Sequence, residues 1–212
     1  MQNEYINYQN KRSSFSMKKK GIIFFGLILL IITSFSLTIL AKEQVFDFRK
    51  TNWGMSKEEV KLTEKNDITF EDEEEIDYEV KIDSDNFICG YIFLENKLYR
   101  AAYIFSEEHT NKNDYINDYE ALKTILIDKY GKPKSDKIVW RDNLYKDDKE
   151  DWGFAIGMGH LIYGSVWENS ITNIQLILTG DNYEVNLALL YESRELKDWA
   201  ENIINEKTKS SF

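Results

Sequence analysis

The side chains of this sequence that could do chemistry are few and widely spaced. The chain holds two histidines, His109 and His160, and a single cysteine, Cys89. Neither histidine stands in the HExxH spacing or in another spacing that brings metal ligands together. We therefore interpret both histidines as surface or structural residues and expect no metal or cofactor.

Cys89 alternates with Phe87 and Tyr91 in a pattern typical of a strand. A nucleophilic cysteine needs a neighbour that lowers the pKa of its thiol, and the adjacent sequence offers none. The pattern predicts a small buried residue instead. A serine hydrolase is not supported either, because the chain has no GxSxG motif.

Three further stretches resemble ligand-binding motifs and depart from them. In GMGHLIYG, residues 157–164, the glycine spacing matches neither GxGxxG nor a P-loop, and we interpret the glycines as bends in a strand. In DSDNFICGYIFLE, residues 83–95, Ile88 stands where a calcium-binding EF-hand loop needs glycine. The acidic clusters 71–75 and 147–151 could attract Ca²⁺ weakly, but charge runs of this kind predict solvated loops.

Two groups of residues are candidate contacts for a protein partner. The first is an aromatic face predicted on two neighbouring strands, since Tyr, Phe and Arg are enriched at interfaces. The default interpretation of this face is the hydrophobic core, unless the face is uncovered. The second is an acidic loop whose negative potential would speed association with a basic protein. These candidates are Phe87, Tyr91, Phe93 and Arg100 in the first group, and Asp147, Asp148, Glu150 and Asp151 in the second.

The charge of the chain excludes some classes of partner. The 212 residues carry a net charge of -10, and 42% of them are hydrophobic, which is typical of a folded domain. Basic residues predominate before position 41, so residues 42–212 are more acidic still. Such a surface repels nucleic acid and anionic lipid head groups, and it tolerates basic proteins and divalent cations.

An apolar run near the N-terminus predicts a membrane segment. Lys18 to Lys20 precede GIIFFGLILLIITSFSLTIL, residues 21–40, which is long enough to span a bilayer. The positive charges place residues 1–20 in the cytoplasm, with Met17 as an alternative start. Residues 21–41 are then an uncleaved single-pass anchor in the cell membrane, or a signal peptide cleaved after Ala41. In either case residues 42–212 form an extracytoplasmic domain, secreted if the segment is cleaved.

The elements that would position these residues begin at TNWGMSKEEV, residues 51–60. Ser56 and Glu59 have the spacing of a capping box, which predicts a helix over about 57–66. Trp53 is expected to pack as a core anchor. After the acidic loop, an alternating apolar pattern predicts a meander of strands over about 78–82, 87–94 and 98–105. A turn at Asn96–Lys97 would place Arg100 on the same face as the aromatics.

The second half repeats this order of elements. Residues 113–133 show helical spacing of apolar side chains, with Gly131 as the C-terminal cap. Strands are predicted at 137–141, over 154–167 as one bent strand or two short ones, and in a hairpin of 171–179 and 182–191 around Gly180–Asp181. Ser193 is expected to cap a final helix. One face of the hairpin is apolar and the other carries Asn173, Gln175, Glu184 and Asn186.

The order of elements predicts an α+β fold. We expect an antiparallel sheet of about six to seven strands, with two to three helices mainly on one face, preceded by the N-terminal transmembrane or signal helix. The two helix-then-meander halves indicate a topological repeat without a sequence repeat.

The motifs WGMSKEEV and KYGKP, the latter followed by Trp140, resemble a class of small bacterial envelope proteins. SmpA/OmlA-type outer-membrane assembly lipoproteins and β-lactamase-inhibitor-like proteins have a similar helix-plus-meander architecture. The resemblance covers about residues 50–140 and implies an extracytoplasmic, non-enzymatic interaction module. The chain lacks the lipobox cysteine of the lipoproteins, and no site residue carries over.

Three functions are compatible with these features. The absence of a catalytic motif favours a non-catalytic module that binds a protein in the cell envelope, an inhibitor or immunity-like protein being one version. The alternatives are an extracytoplasmic hydrolase that uses carboxylates and an envelope protein that binds divalent cations.

Overall fold

The computed structural model of the chain describes residues 45–210. The predicted membrane or signal segment at 21–41, the alternative start at Met17 and the cleavage point after Ala41 lie outside these residues. Among residues 45–210, the helices are all too short or too polar to cross a membrane.

The described residues form an α+β fold with one antiparallel sheet of eight strands. The α-helices are α1 (Lys57–Thr63), α2 (Asp114–Tyr130), α3 (Trp152–Gly157) and α4 (Lys197–Ser210), and a 3-10 helix spans Lys149–Asp151. The strands are β1 (Ile68–Glu71), β2 (Glu75–Ile82), β3 (Asp85–Leu94), β4 (Lys97–Phe105), β5 (Ser135–Trp140), β6 (Leu161–Glu168), β7 (Thr172–Asp181) and β8 (Glu184–Ser193).

The strand order confirms the predicted topological repeat. The order is β1-β2-β3-β4-β8-β7-β6-β5, so each half contributes a helix and a four-strand meander. The last strand of each half, β4 and β8, meets its counterpart at the centre in antiparallel pairing. The two halves therefore form one continuous sheet, with β1 and β5 as its outer strands.

The first helix begins as its sequence predicts. The Ser56 side chain accepts from the Glu59 N–H while the Glu59 carboxylate accepts from the Ser56 N–H, which is the reciprocal capping box. The helix ends at Thr63 instead of about residue 66, because Glu64 turns to an extended conformation and binds Arg49. Trp53 packs against the core and donates from Nε1 to Thr172 Oγ1 at 3.0 Å.

Helices α1, α2 and α3 cover one face of the sheet. Val60 of α1, Tyr119 of α2 and Ile156 of α3 are each 0% exposed and belong to the main core. Helix α4 packs on the opposite face, where Ala200 joins Leu94 and Tyr99 in a smaller cluster. Ser193 Oγ accepts from the Leu196 N–H just before α4, close to the predicted cap.

The sheet has eight strands where about six to seven are predicted, because the sequence pattern predicts no strand at residues 68–71, where β1 lies. This strand has only four residues, and all four are exposed. An edge strand of this length has no buried face, so it leaves no periodic apolar pattern in the sequence.

The prediction of strand structure from residue 154 is wrong, because residues 152–157 form α3 and the strand begins at Leu161. Of the glycines predicted to bend this strand, Gly157 is the last residue of α3, Gly159 follows it with a positive φ, and Gly164 lies within β6. Two other glycines make close backbone contacts. A Cβ on Gly180 would lie 2.4 Å from the carbonyl oxygen of Ile156, and one on Gly153 would lie 2.2 Å from the carbonyl carbon of Lys112. These contacts join α3 to β7 and to the start of α2, and they are invisible in the local sequence.

The predicted pairing of β3 with β4 is also wrong. The turn lies at Glu95–Asn96, one residue earlier, and a β-bulge follows it. Phe93 pairs with Leu98 but Ile92 pairs with Arg100, so Tyr99 is an extra residue. One extra residue exchanges the two faces of the rest of the strand. Arg100 therefore lies on the face opposite Tyr91, not beside it.

The turn between β7 and β8 lies at Asn182–Tyr183 rather than Gly180–Asp181, and both turn residues have positive φ. The predicted faces nevertheless hold, since no bulge interrupts this pair. Thr172, Ile174, Leu176 and Leu178 share the buried face with Leu187 and Leu189.

Candidate binding face

The sheet face opposite α1, α2 and α3 is covered only in part, by α4. We call it the open face. Two cross-strand rows of directly paired residues define it. The first row is Asp77, Gly90, Ala102, Leu190, Gln175, Val166 and Ser135, and the second is Glu79, Ile88, Ile104, Ala188, Ile177, Gly164 and Lys137.

The centre of the open face is aliphatic and reachable by solvent. Ile104 is 42% exposed, and Ile88, Ala188 and Ile177 beside it are half-buried. A Cβ on Gly164 would meet no atom within 4 Å, so the surface above this residue is empty. The other central residues of the second row, Ala188 and Gly164, are small, so the isoleucines form a shallow apolar strip across the middle of the sheet.

A groove of about 480 Å³ lies on the open face beside the start of α4. Its floor includes Leu190 and Gln175, and its charged wall is an ion-pair network. Arg100 Nη2 lies 2.6 Å from Glu192 Oε1, and Lys197 Nζ lies 3.1 Å from Glu192 Oε2. Burial alone would raise the pKa of Glu192, but the hydrogen bonds from these two cations outweigh it and lower the pKa. The network keeps this carboxylate ionised and holds both cations in place.

Two carboxyl groups of β2 converge over Gly90 at the β2 side of the open face. A Cβ on Gly90 would lie 2.9 Å from Asp77 Oδ1 and 3.4 Å from Glu75 Oε1. Asp77 Oδ1 is buried and has no hydrogen-bond partner among the described residues. Burial raises the pKa of both groups, and the negative charges of Asp77 and Asp72 raise that of Glu75 further. The pair should therefore keep a proton at pH values above the range in which carboxyl groups usually titrate.

Replacing Asp77 by asparagine should stabilise the protein at pH 7 by about 1 kcal/mol, because an amide can donate to Glu75 and removes an unpartnered buried acceptor. Both carboxyls bind protons more tightly in the folded protein than in the unfolded chain. Wild-type stability should therefore rise as the pH falls from neutral through the raised pKa values, and the gain is complete below the ordinary values of 4.5 and 3.8.

Urea unfolding at a series of pH values measures this effect. Asp77→Asn should remove most of the gain on acidification. The matched control is Glu79→Gln, an exposed carboxylate on the same strand, which should keep the wild-type profile. A wild-type protein that loses stability steadily from pH 7 to pH 5 would contradict the assignment of the pair.

The aromatic candidates from the sequence lie in the core. Phe87, Tyr91 and Phe93 are 3%, 0% and 1% exposed, on the face that α1, α2 and α3 cover. They are inaccessible to a partner there, so the default interpretation of these aromatics as core residues holds. Arg100 is separated from them by the bulge and lies on the open face, where it binds Glu192. Of the candidate contact residues in the aromatic group, only Arg100 lies on the open face, and the residues predicted beside it do not.

The acidic loop is exposed, as predicted, and is anchored at both ends. Asp147, Asp148, Glu150 and Asp151 are all solvent-exposed. The Asp148 carboxylate accepts from the Glu150 N–H, and the Asn113 side chain donates to the carbonyl oxygen of Glu150 at 2.8 Å. Tyr145 and Trp152 on either side pack against the main core, away from the open face. Residues 45–210 contain no group of three acidic, histidine or cysteine side chains placed to hold a metal.

The histidines and the cysteine occupy packed positions. His109 Nε2 lies 2.5 Å from Asp118 Oδ2, and its ring packs edge-on against Tyr115 with centroids 4.6 Å apart. The His160 ring stacks on Tyr145. Cys89 is 0% exposed, and burial raises the pKa of its thiol to about 12. A thiol this basic and this inaccessible is not a nucleophile.

An ion pair between an exposed arginine and a buried carboxylate joins the N-terminal segment to the end of α1. Arg49 Nε and Nη2 lie 2.7 Å and 3.0 Å from the two carboxylate oxygens of Glu64, and the Tyr91 hydroxyl also donates to Glu64. The Glu64 side chain is only 4% exposed. Each charge is satisfied by the other, which indicates a structural role. The two residues are fifteen positions apart, and nothing in the local sequence pairs them.

No protein-family model, no curated protein and no solved structure matches this chain.

Proposed function

We propose that the protein is a non-catalytic protein-binding module of the cell envelope and that it contacts its partner through the open face. Residues 21–40 would anchor it in the membrane, or cleavage after Ala41 would release it. The observation that carries the proposal is the aliphatic strip around Ile104 and Ile177, which the helices leave uncovered. Apolar surface in water is unfavourable by about 25 cal/mol per Å², so a partner that covers it gains free energy.

The size of the open face suits a folded partner. The seven strands that contribute to its two rows lie about 4.8 Å apart and span about 29 Å, and three residues of one face along each strand extend the patch to about 20 Å. The product is on the order of 600 Å², part of which α4 covers, so the exposed area is at the lower end of what a folded partner contacts in a specific interface. A peptide strand would leave most of this area uncovered.

A bulky residue at Gly164 should block docking without disturbing the fold. The space above this residue is empty and its backbone is not left-handed, so Gly164→Trp fits the isolated protein. The full chain, produced in its native cells with the photo-crosslinker p-benzoylphenylalanine at position 104, is cross-linked and the products are quantified by mass spectrometry. We expect the substitution to reduce the cross-linked partner at least about tenfold, because an indole in the interface core removes more than 1.4 kcal/mol of binding free energy.

Leu62→Trp is the matched control, since Leu62 is 87% exposed on α1 and lies on the other side of the sheet. It should leave capture unchanged. Equal capture by wild type and Gly164→Trp would show that the open face is not the contact surface.

A second candidate function is hydrolysis by paired carboxylates, and the Glu75–Asp77 pair favours it. General acid–base catalysis needs one protonated and one ionised group, and two converging carboxyl groups whose pKa values are both raised can share one proton. Neither carboxyl lines the groove beside α4, where a substrate would be enclosed. Hydrolysis of ester, glycoside or peptide substrates that Asp77→Asn abolishes and Glu79→Gln retains would favour this function over binding.

A further inference from the structure

On the open face, ion pairing differs between the positively and the negatively charged side chains. Its cations at Arg100 and Lys197 are bound to Glu192. The acidic side chains at the margins of the face form no ion pair among the described residues. They are Glu75, Asp77 and Glu79 along β2, and Asp181 and Glu184 at the end of the β7–β8 hairpin.

These carboxylates flank the aliphatic strip from two directions. Glu79 stands in the same cross-strand row as Ile104, two strands away. Asp181 and Glu184 pair directly with each other where β7 and β8 meet. Lys81, Lys97 and Lys137 are the other cations that strand alternation places on this face; Lys97 Nζ lies over the Trp199 ring of α4, and Lys137 stands on the outer strand β5. The apolar centre therefore has a margin with unneutralised negative charge.

We propose that the partner of the open face is a folded protein that presents lysine and arginine side chains around an apolar residue. This inference rests on the proposed function and adds the chemistry of the partner. The apolar residue of the partner covers the strip at Ile104 and Ile177, and its cations meet Glu79, Asp181 and Glu184. Complementary charge fixes orientation and speeds association, while the apolar contact supplies the affinity.

Other occupants fit this surface less well. Nucleic acid and anionic membrane carry the same sign of charge as the margin and are repelled. A second copy of the chain would bring one acidic margin close to another, which opposes self-association. An acidic protein would place its negative charges against the negative charges of the margin.

Charge reversal on the open face tests the proposal. The full chain carries p-benzoylphenylalanine at position 104 and is cross-linked in its native cells, as wild type and as the double variant Glu79→Lys/Glu184→Lys. Both side chains are exposed and are free of ion pairs among residues 45–210, so the fold should tolerate the change. We expect at least about tenfold less partner captured by the double variant, because two attractive contacts become repulsive. Glu79→Gln/Glu184→Gln should give an intermediate loss.

The control reverses the same number of charges elsewhere. Asp147→Lys/Asp151→Lys on the acidic loop should capture as much partner as wild type, since neither carboxylate caps a helix with a hydrogen bond. Peptide mapping of the cross-link should place lysine or arginine residues of the partner around the attachment point.

Each other result decides against a part of the proposal. Undiminished capture by Glu79→Lys/Glu184→Lys would overturn the cationic partner and leave the binding face intact. Loss of capture in the loop variant alone would transfer the contact to the acidic loop. A cross-link to a second copy of this chain would overturn the cationic partner in favour of self-association. No site-specific capture by the wild type would remove the proposed function itself.

Discussion

Replacing Arg49 by alanine should lower the free energy of unfolding by about 3 kcal/mol. The guanidinium group is the partner of a carboxylate that the fold removes from water, since the Glu64 side chain is 4% exposed. Without Arg49, only the Tyr91 hydroxyl would remain as a hydrogen-bonding side chain to Glu64. Arg49 itself is 28% exposed, so we expect the lower end of the range for broken buried pairs.

Urea unfolding followed by tryptophan fluorescence gives the free energy for Arg49→Ala and its controls. Lys134→Ala removes an exposed ion pair with Glu168 and should change stability by less than about 1 kcal/mol. Arg49→Met/Glu64→Met removes both charges and should recover most of the loss, because the desolvation penalty disappears with them. If the double variant is as unstable as Arg49→Ala, the N-terminal segment is held by the packing of these side chains and not by their charges.

The elements that the sequence predicts well are those with local signals. Three such signals are the capping box at Ser56, the apolar spacing of α2 and the glycine cap at Gly131. Each is formed by residues that lie within a few positions of one another in the sequence. Gly131 has a positive φ and its N–H donates to the carbonyl oxygen of Ile127, as the cap requires. Alternation likewise predicts most strands, because one buried face suffices to produce it.

Faces of strands are predicted only where pairing is regular. In the β7–β8 hairpin the turn lies two residues later than expected, yet the side chains keep their faces. In β3–β4 the extra residue Tyr99 exchanges them. That single bulge separates Arg100 from Phe87, Tyr91 and Phe93, and it explains why the predicted aromatic surface is core. A bulge is selected by packing of the whole sheet, which a single sequence does not display.

The position of the open face depends on contacts between residues that are still farther apart in the sequence. Polar residues Asn173 and Gln175 indicate a wet face for part of the second meander, and this part was predictable. The aliphatic strip is not, because Ile104 and Ile177 read as core residues until the positions of the helices are known. Which face remains uncovered follows from where α1, α2, α3 and α4 pack, and these contacts join residues far apart in the chain.

Replacing Gly153 by alanine should destabilise the protein by about 3 kcal/mol, at the upper end of the usual effect of overpacking. The added Cβ would lie 2.2 Å from the carbonyl carbon of Lys112 and 2.3 Å from the amide nitrogen of Asn113. Backbone atoms cannot rotate away, so α3 has to move off the start of α2. That movement also breaks the hydrogen bond from the Gly153 N–H to the Asn113 side chain and exposes Ile156, which is 0% exposed in the fold.

The sign of this effect is informative, because alanine is the better helix former by about 1 kcal/mol and would otherwise stabilise α3. Gly164→Ala is the matched control: its Cβ meets no atom within 4 Å, so the melting temperature should stay at or slightly above that of wild type. Hydrogen exchange should rise in Gly153→Ala at α3 and in the acidic loop that its neighbours anchor, before the central strands are affected. If Gly153→Ala melts at the same temperature as Gly164→Ala, the close contact at Gly153 does not fix α3 against the start of α2.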